Sequence, residues 1–474
     1  MRYASLEIKD STFYTVGITS TITSPYISKI MWSDIGNEGI LHHYSVYNDS
    51  NANSYGSFLN TLAIGSDSTV RLFGYVEEVD SLWPLLLTIG YDGNLKRSTV
   101  FTDSSTTFLR GDYIARGENN NYYLASVYQY NSGPTNAYII KVTDTDSILW
   151  RHQYGAIGSY EFITGISTLK NGNLIVGNWK TDYNLPNMRS YTWLFEIDSN
   201  GIMARQWFDS LNTMEAKGLK QTRDGGFIYC SKKILQQDLG DVYCHTTIVK
   251  MDSLFNKLWT WEGTQIMGSS AGAEDIEELP GGDFLVCGNG NYINPNYNLL
   301  SGWIMKLHSD GSVAWSRGYT AVDTDEVENY LNDIDVMPDG SYVAVGYANL
   351  PSTFTPTQRQ QAWMLKLDSN GCELENCLVG VEEKPKATLN TQLQINPNPF
   401  TGNLSLTIIN ANGAIGSSNI TLTNPLGQTV YHQQETNLNS NYTKMLDLSS
   451  LPNGVYFIAV EVDGERTVKK VVKQ

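Results

Sequence analysis

Within its first 379 residues the chain repeats one pair of short strands seven times, and this period limits the fold more than any other feature. One member is an apolar strand closing on small residues. Its copies are Phe13-Tyr-Thr-Val-Gly17, Leu72-Phe-Gly74, Tyr123-Leu-Ala125, Leu174-Ile-Val-Gly177, Phe227-Ile-Tyr-Cys230, Phe284-Leu-Val-Cys-Gly288 and Tyr342-Val-Ala-Val-Gly346. Successive copies begin 51 to 59 residues apart. The other member carries a large residue and runs into a polar Asp-x-x-Gly turn. It is clearest as Trp193-Leu-Phe-Glu-Ile-Asp-Ser-Asn-Gly201, Trp303-Ile-Met-Lys-Leu-His-Ser-Asp-Gly311 and Trp363-Met-Leu-Lys-Leu-Asp-Ser-Asn-Gly371, with weaker copies at Leu85, Tyr138 and Thr247 and one near Tyr26.

A long, near-constant step with strand alternation inside each unit is the pattern of a propeller-type array, whose units bury their apolar faces only against each other. Each unit adds a further Trp (Trp150, Trp207, Trp259, Trp315) and an Ile/Leu-rich strand such as Gly165–Leu169 or Asp333–Met337, making about four strands. Residues 1–379 are therefore expected to be an all-β, seven-bladed β-propeller. The recurrent Trp side chains are expected to fill the wedges between blades. The array is expected to begin inside a blade, at the Phe13 strand, and to end on the Trp363 strand, so that one end completes the other's blade and no edge is left bare.

The formal charge of −17 lies in this body, because residues 394–474 carry five Lys/Arg against five acids and 380–393 also balance. Such a body repels phosphate backbones, which argues against nucleic acid as a partner. No apolar run approaches the ~20 residues of a membrane helix, so no membrane span is expected. The segment Met1–Lys9 lacks the apolar core of a signal peptide; for an exported protein the leader is expected upstream or already removed. Five cysteines in 474 residues make no disulfide framework. Cys372 and Cys377 are close enough in sequence to bridge in an oxidising compartment, while Cys230, Cys244 and Cys287 sit in strand-like runs and read as buried thiols.

Beyond residue 379 the periodicity stops. Residues 380–393 read as a linker, and 394–474 hold seven short strands, the content of a small Ig-like β-sandwich. This module carries Pro397-Asn398-Pro399-Phe400, Gly402-Asn403-Leu404, Leu426-Gly427-Gln428, Leu446 to Leu451, Pro452-x-Gly454-Val455-Tyr456 and a basic end around Lys469-Lys470. In these motifs and their order it resembles the C-terminal sorting domain of type IX secretion substrates in Bacteroidetes. Asn396 stands where Tyr is usual, and Asn424-Pro425 replaces the common acidic residue before Leu-Gly. The resemblance implies export across the outer membrane, the type IX machinery as partner, and a secreted or cell-surface destination. The body resembles, less specifically, propeller-like repeat regions joined to such tails, a likeness that carries fold but no reaction.

Reactive motifs are sparse. The six His residues show no metal-ligand spacing, and no Cys-x-x-Cys unit, nucleophile elbow, P-loop or dinucleotide fingerprint occurs, so no cofactor is expected. Carboxylates gather in two equivalent stretches read as loops, Glu274-Asp275-x-Glu277-Glu278 and Asp323-x-Asp325-Glu326-x-Glu328, the second followed by Asp333-x-Asp335. Alternate strand residues share a face, so Asp333 and Asp335 could both point toward a channel. A cation site or a carboxylate pair for glycoside cleavage would use such acids, against the simpler reading of solvated loops. Tyr-rich segments, 122–130 and 291–297, suit a glycan or protein ligand. Without a paired acid and base in one cleft-forming loop, the body is expected to be a monomeric, non-catalytic binding or scaffold module. The alternative is a secreted polysaccharide hydrolase or lyase with acids (Asp275, Glu277, Asp333, Asp335) at the channel mouth.

Overall fold

The computed structural model describes residues 2–10, 12–20, 28–37, 39–47, 53–56, 61–78, 80–106, 108–129, 133–156, 158–182, 189–209, 212–237, 242–263, 267–268, 272–290, 301–321, 327–350, 360–373, 391–410, 415–424, 429–462 and 465–474. Within them the chain is almost entirely β, with one short 3-10 turn at Glu118–Asn120. It divides into two compact units, 1–379 and 380–474.

The larger unit is built from small antiparallel sheets whose strands follow one another in chain order. Strands from Asn53–Gly56 to Ile148–Tyr154 are joined into one nine-stranded sheet, but a single parallel pairing, Phe108 with Leu82, links its two halves. Counting those halves separately gives seven sheet units, over 2–47, 53–100, 108–154, 159–208, 213–268, 272–319 and 328–367. Most have four strands; the seventh has three described ones.

The expected sharing of one unit by both ends of the array is corrected. Arg2–Lys9 is itself a strand, paired with Thr12–Ser20 across a tight turn at Asp10 (φ 49°), so the first sheet is complete from its own consecutive strands. Ser5 and Leu6 are buried at the middle of this strand, and Glu7 to Lys9 keep part of their surface open. The two ends meet through side chains instead: Leu6, Phe13 and Ile35 of the first sheet share a core with Met337, Val343 and Val345 of the seventh. Comparable cores join each intervening pair, for example Tyr154, Trp193 and Phe195 between the third and fourth units. Each sheet thus packs on the next and the last packs on the first.

Two sequence signals explain these junctions. The recurrent Trp reaches from an outer strand to the Asp-x-x-Gly turn of the following unit. Trp150 Nε1 donates to Ser199 O (2.9 Å) and Trp259 Nε1 to Ser309 O (3.0 Å). The turn itself is closed by its Asp, as where Asp198 Oδ1 accepts the Asn200 and Ile202 amides, both at 2.9 Å.

The small residue ending the second strand answers a bulge in the first. A register shift recurs between Tyr3/Ser5, Gly111/Tyr113, Ile163/Gly165, Ala273/Asp275 and Leu331/Asp333. The extra residue bends the backbone toward its partner strand. A Cβ at Gly346 would lie 1.8 Å from the Tyr330 carbonyl oxygen, and one at Gly288 2.1 Å from that of Gly272.

The smaller unit packs a three-stranded sheet (Thr391–Asn396, Asn403–Asn410, Asn441–Asp447) and a four-stranded sheet (Thr429–Leu438, Ile415–Thr423, Gly454–Val462, Glu465–Lys473) around Phe400, Leu404, Leu406, Ile420, Leu446 and Ile458. Its first strand starts at Thr391, within the stretch read as linker; residues 374–390 lie outside the described ones.

Candidate active site

The bulges determine which side chains meet where the first strands of neighbouring sheets lie side by side. Three of the extra residues reach across to the adjoining sheet. Thr164 Oγ1 accepts the Ala216 amide (2.8 Å), Glu274 Oε2 accepts from Lys217 Nζ (2.6 Å), and Asn332 Nδ2 donates to Tyr3 O (2.7 Å). Past the bulge the strand resumes its alternation, and Asp275 and Glu277, like Asp333 and Asp335, fall on one face.

These four acids come together with two residues that sequence reasoning missed, Glu7 and Lys220. Lys220 Nζ binds Asp275 Oδ2 at 3.3 Å and also Glu277. Asp333 Oδ2 accepts the Leu6 amide (2.8 Å) and Ser5 Oγ (3.1 Å), and Asp335 Oδ1 accepts the Val336 amide (2.7 Å). Glu7 lies in the field of Asp335, Lys220, Glu277 and Asp275. Five carboxyls therefore face one ammonium. Lys220 and Glu277 leave 29% and 26% of their side-chain surface open, against 3% for Asp275, so the cluster has a wet side and a dry side.

Burial among like charges resists ionisation. Burial, then Asp335, pushes Glu7 up to about 8; burial outweighs Lys220 and, with Asp275 and Asp335, pushes Glu277 up to about 7. Burial and Asp275 hold Asp333 well above the usual carboxylate range, and burial raises Asp335. Asp275 Oδ1 is buried and lies beside Asp333, whose burial and like-charged neighbour favour its protonated form. Lys220 is held charged, since Asp275 and Glu277 outweigh its burial. On the same strand Lys217 bridges Glu274 and Glu215 (3.8 Å), with Lys232 3.0 Å from Glu215. The Cys230 and Cys287 thiols lie under the acids, pushed up by burial and by Asp275, and are inert.

The stretch Glu274–Glu278 is thus not the solvated loop expected from sequence. It belongs to strand Gly272–Glu278, in which buried Ala273 and Ile276 anchor the acids inward. Only Glu278 serves a surface turn, accepting the Arg223 amide (2.7 Å). Residues 322–326 lie outside the described ones, and Glu328 holds Tyr330 and Asn349 away from the cluster. Glu7 could have been found by aligning Arg2–Lys9 with the later first strands. Lys220 had no comparable signal. Among the described residues no three His, Cys, Asp or Glu converge in a metal-holding arrangement.

Cys372 is buried at its turn, 3.2 Å from Arg317 Nη1; Cys377, its expected partner in a bridge, lies outside the described residues, as does Gly427. In the smaller unit the expected motif residues converge at one end. Asn398 Oδ1 accepts the Val472 amide (2.8 Å) and its Nδ2 donates to Lys470 O (3.0 Å), clamping the Pro397–Pro399 turn onto the last strand. Gly402 O accepts the Leu448 amide (2.9 Å), and Tyr456 Oη donates to Pro452 O (2.7 Å) ahead of the strand opened by Gly454. Lys473, outside the expected set, buries its ammonium against the carbonyls of Leu448 (2.9 Å), Ser449 (2.7 Å) and Leu451 (2.5 Å). Lys469 and Lys470 are exposed.

Residues 394–474 match the family described as secretion system C-terminal sorting domain, and this stretch is such a domain. No curated protein sequence matches the chain. Solved structures similar to it include a polysaccharide lyase, an ulvan lyase (11% identity, TM-score 0.46, covering 78% of this chain and 92% of that one). Another is Drosophila Plexin A in complex with Semaphorin 1b (9%, TM-score 0.43, 73% and 83%), and a third is the α-L-arabinanase of Penicillium chrysogenum (12%, TM-score 0.41, 64% and 92%). At these identities and TM-scores none of them carries a reaction to this chain.

The expectation of a non-catalytic body is nevertheless corrected. It rested on the lack of a paired acid and base in one loop, and the structure gathers five carboxyls and one ammonium from four sheets that no single loop reveals.

Proposed function

We propose that residues 1–379 are a seven-bladed β-propeller whose axial channel carries a glycan-cleaving site, exported by an Ig-like sorting tail at 394–474 through the type IX machinery to the cell surface or medium. Support for the propeller is the closed succession of sheet units and the charged strands at their inner edge. The observation that carries the catalytic reading is the acid cluster, with Glu277 poised at about 7 on its wet side.

A general acid works best when its pKa lies near the working pH. In this reading Glu277 gives its proton to the glycosidic oxygen. Asp275, ion-paired with Lys220, acts as the carboxylate that meets the developing positive charge or activates water. Asp333 holds Asp275 in place, and Glu7 and Asp335 deny the group an easy loss of its proton. The substrate is a neutral polysaccharide, since a body of charge −17 repels polyuronates and sulfated glycans.

The test is a degradation screen of the chain on neutral and anionic polysaccharides, followed by Glu277→Gln and Asp275→Asn on the substrate found. Each change is expected to cut kcat about 10²–10⁴-fold. Wild-type turnover in Glu277→Gln, or no turnover on any glycan, would reject the site.

A further inference from the structure

A cavity of about 390 Å³ lies away from the acid cluster, where the third sheet unit (108–154) meets the fourth (159–208). Its origin is visible by comparing equivalent junctions. The turn after each first strand is closed by its leading residue, whose amide bonds the carbonyl four positions on: Gly117 to Asn121, Leu169 to Asn173, Thr222 to Gly226, Leu279 to Asp283. Leu169, Thr222 and Leu279 plug their junctions, 5%, 1% and 6% exposed. At Gly117 the Tyr123 ring takes that place, 2.7 Å from where a Cβ would lie.

The facing turn repeats the contrast. At the fourth–fifth junction Phe255 occupies the left-handed position (φ 66°) and packs with Leu169 and Trp207 in one core. At the third–fourth junction that position is Gly201 (φ 82°). Of the four junctions from the third to the seventh unit, this is the one where both positions are glycine, and rings of the third unit take their place, Tyr123 against Gly117 and His152 against Gly201.

The lining is not that of a packing defect. Trp150 and Leu149 form an apolar wall, with the Tyr123 ring buried behind it, 6.1 Å from the Trp150 ring. Around it stand Asn119, Asn121, Asn200 and Glu118, none of whose side chains makes a hydrogen bond among the described residues. Lys141 closes the floor, bound to Ser199 O (2.8 Å) and 4.9 Å from the Tyr123 ring centre. The amide-bearing turn departs from its counterparts. Asn119 and Asn120 are both left-handed (φ 55° and 59°), where the later units use a single glycine, Gly172, Gly225, Gly282 or Gly340. The turn closes as its counterparts do, but with two amide side chains on it where they have one glycine.

We propose that this cavity is a second carbohydrate-binding site, which seats one neutral sugar ring of the glycan against Trp150 and Leu149 with its hydroxyls on the three amides and Glu118. An apolar wall with a few convergent polar groups is the general form of a small-ligand pocket, and the volume suits one or two sugar rings. The ligand class rests on the glycan reading above; the open junction does not.

The test uses the full chain carrying Glu277→Gln, to prevent turnover, and titrates cellohexaose, xylohexaose, mannohexaose and arabinohexaose by calorimetry. At least one is expected to bind, and Asn121→Ala and Asn200→Ala are each expected to weaken it about tenfold. Trp150→Ala is expected to abolish binding. Trp259→Ala removes the same clasp from the fifth–sixth junction and is expected to leave binding unchanged, which separates the cavity from general damage to the fold. No binding of any of the four, or equal losses in Trp150→Ala and Trp259→Ala, would overturn the proposal. Binding without turnover in the parent chain would instead overturn only the catalytic reading.

Discussion

Gly346 is the residue whose replacement tests the fold most sharply. Alanine there must displace the Tyr330 carbonyl, because the bulge brings that oxygen to 1.8 Å of any Cβ. Overpacking of this kind costs roughly 1–3 kcal/mol, so Gly346→Ala is expected to lower the denaturant midpoint of the body clearly. Lys473→Met is expected to destabilise the smaller unit by about 1–3 kcal/mol, since three carbonyls lose their common donor; hydrogen exchange of strand Gly454–Val462 would report it. The sequence shows that a small residue is wanted at the end of each second strand, but not why, because the reason lies in the neighbouring strand's extra residue. Lys220 was illegible for a similar cause, and Glu7 was legible only by aligning its strand with the later first strands. Each looks like an ordinary solvated charge until sheets far apart in sequence are laid together.

The innermost strands behave as one electrostatic element. Glu7 and Glu277 are raised from the ordinary 4.5 to about 8 and about 7, so the folded body keeps protons that the unfolded chain has already released. Where the unfolded state binds fewer protons, stability falls as pH rises. Stability is therefore expected to decline from about pH 4.5 to about pH 8. Glu277 alone accounts for a change of the order of 3 kcal/mol, and Glu277→Gln should flatten the profile of denaturant midpoint against pH. Glu215, held low mainly by Lys217 and Lys232 against its burial, acts oppositely, its contribution fading below about pH 4.5. At this scale the strands and turns were legible because alternation and Asp-x-x-Gly spacing are local. The bulges were not, since an inserted residue leaves the composition of a strand unchanged while turning its acids to a new face. Reading Glu274–Glu278 as a loop came from that blindness.

For the whole molecule, deleting residues 394–474 in a host that exports the full chain is expected to leave the body in the periplasm, measured by surface proteolysis and fractionation. Normal display of the shortened chain would remove the sorting role. The chain divides at residue 380, where periodicity stops and the charge comes into balance; end-to-end closure was expected from the sequence but not its means, because it is made by side chains rather than by a shared strand. That closure also governs timing. Ser5 and Leu6 hold Asp333 across some 328 positions of chain, and contacts so distant in sequence form late in folding. The acid cluster cannot exist in a partly folded body, so under the proposed reading a chain whose ring has not yet closed carries no working acid.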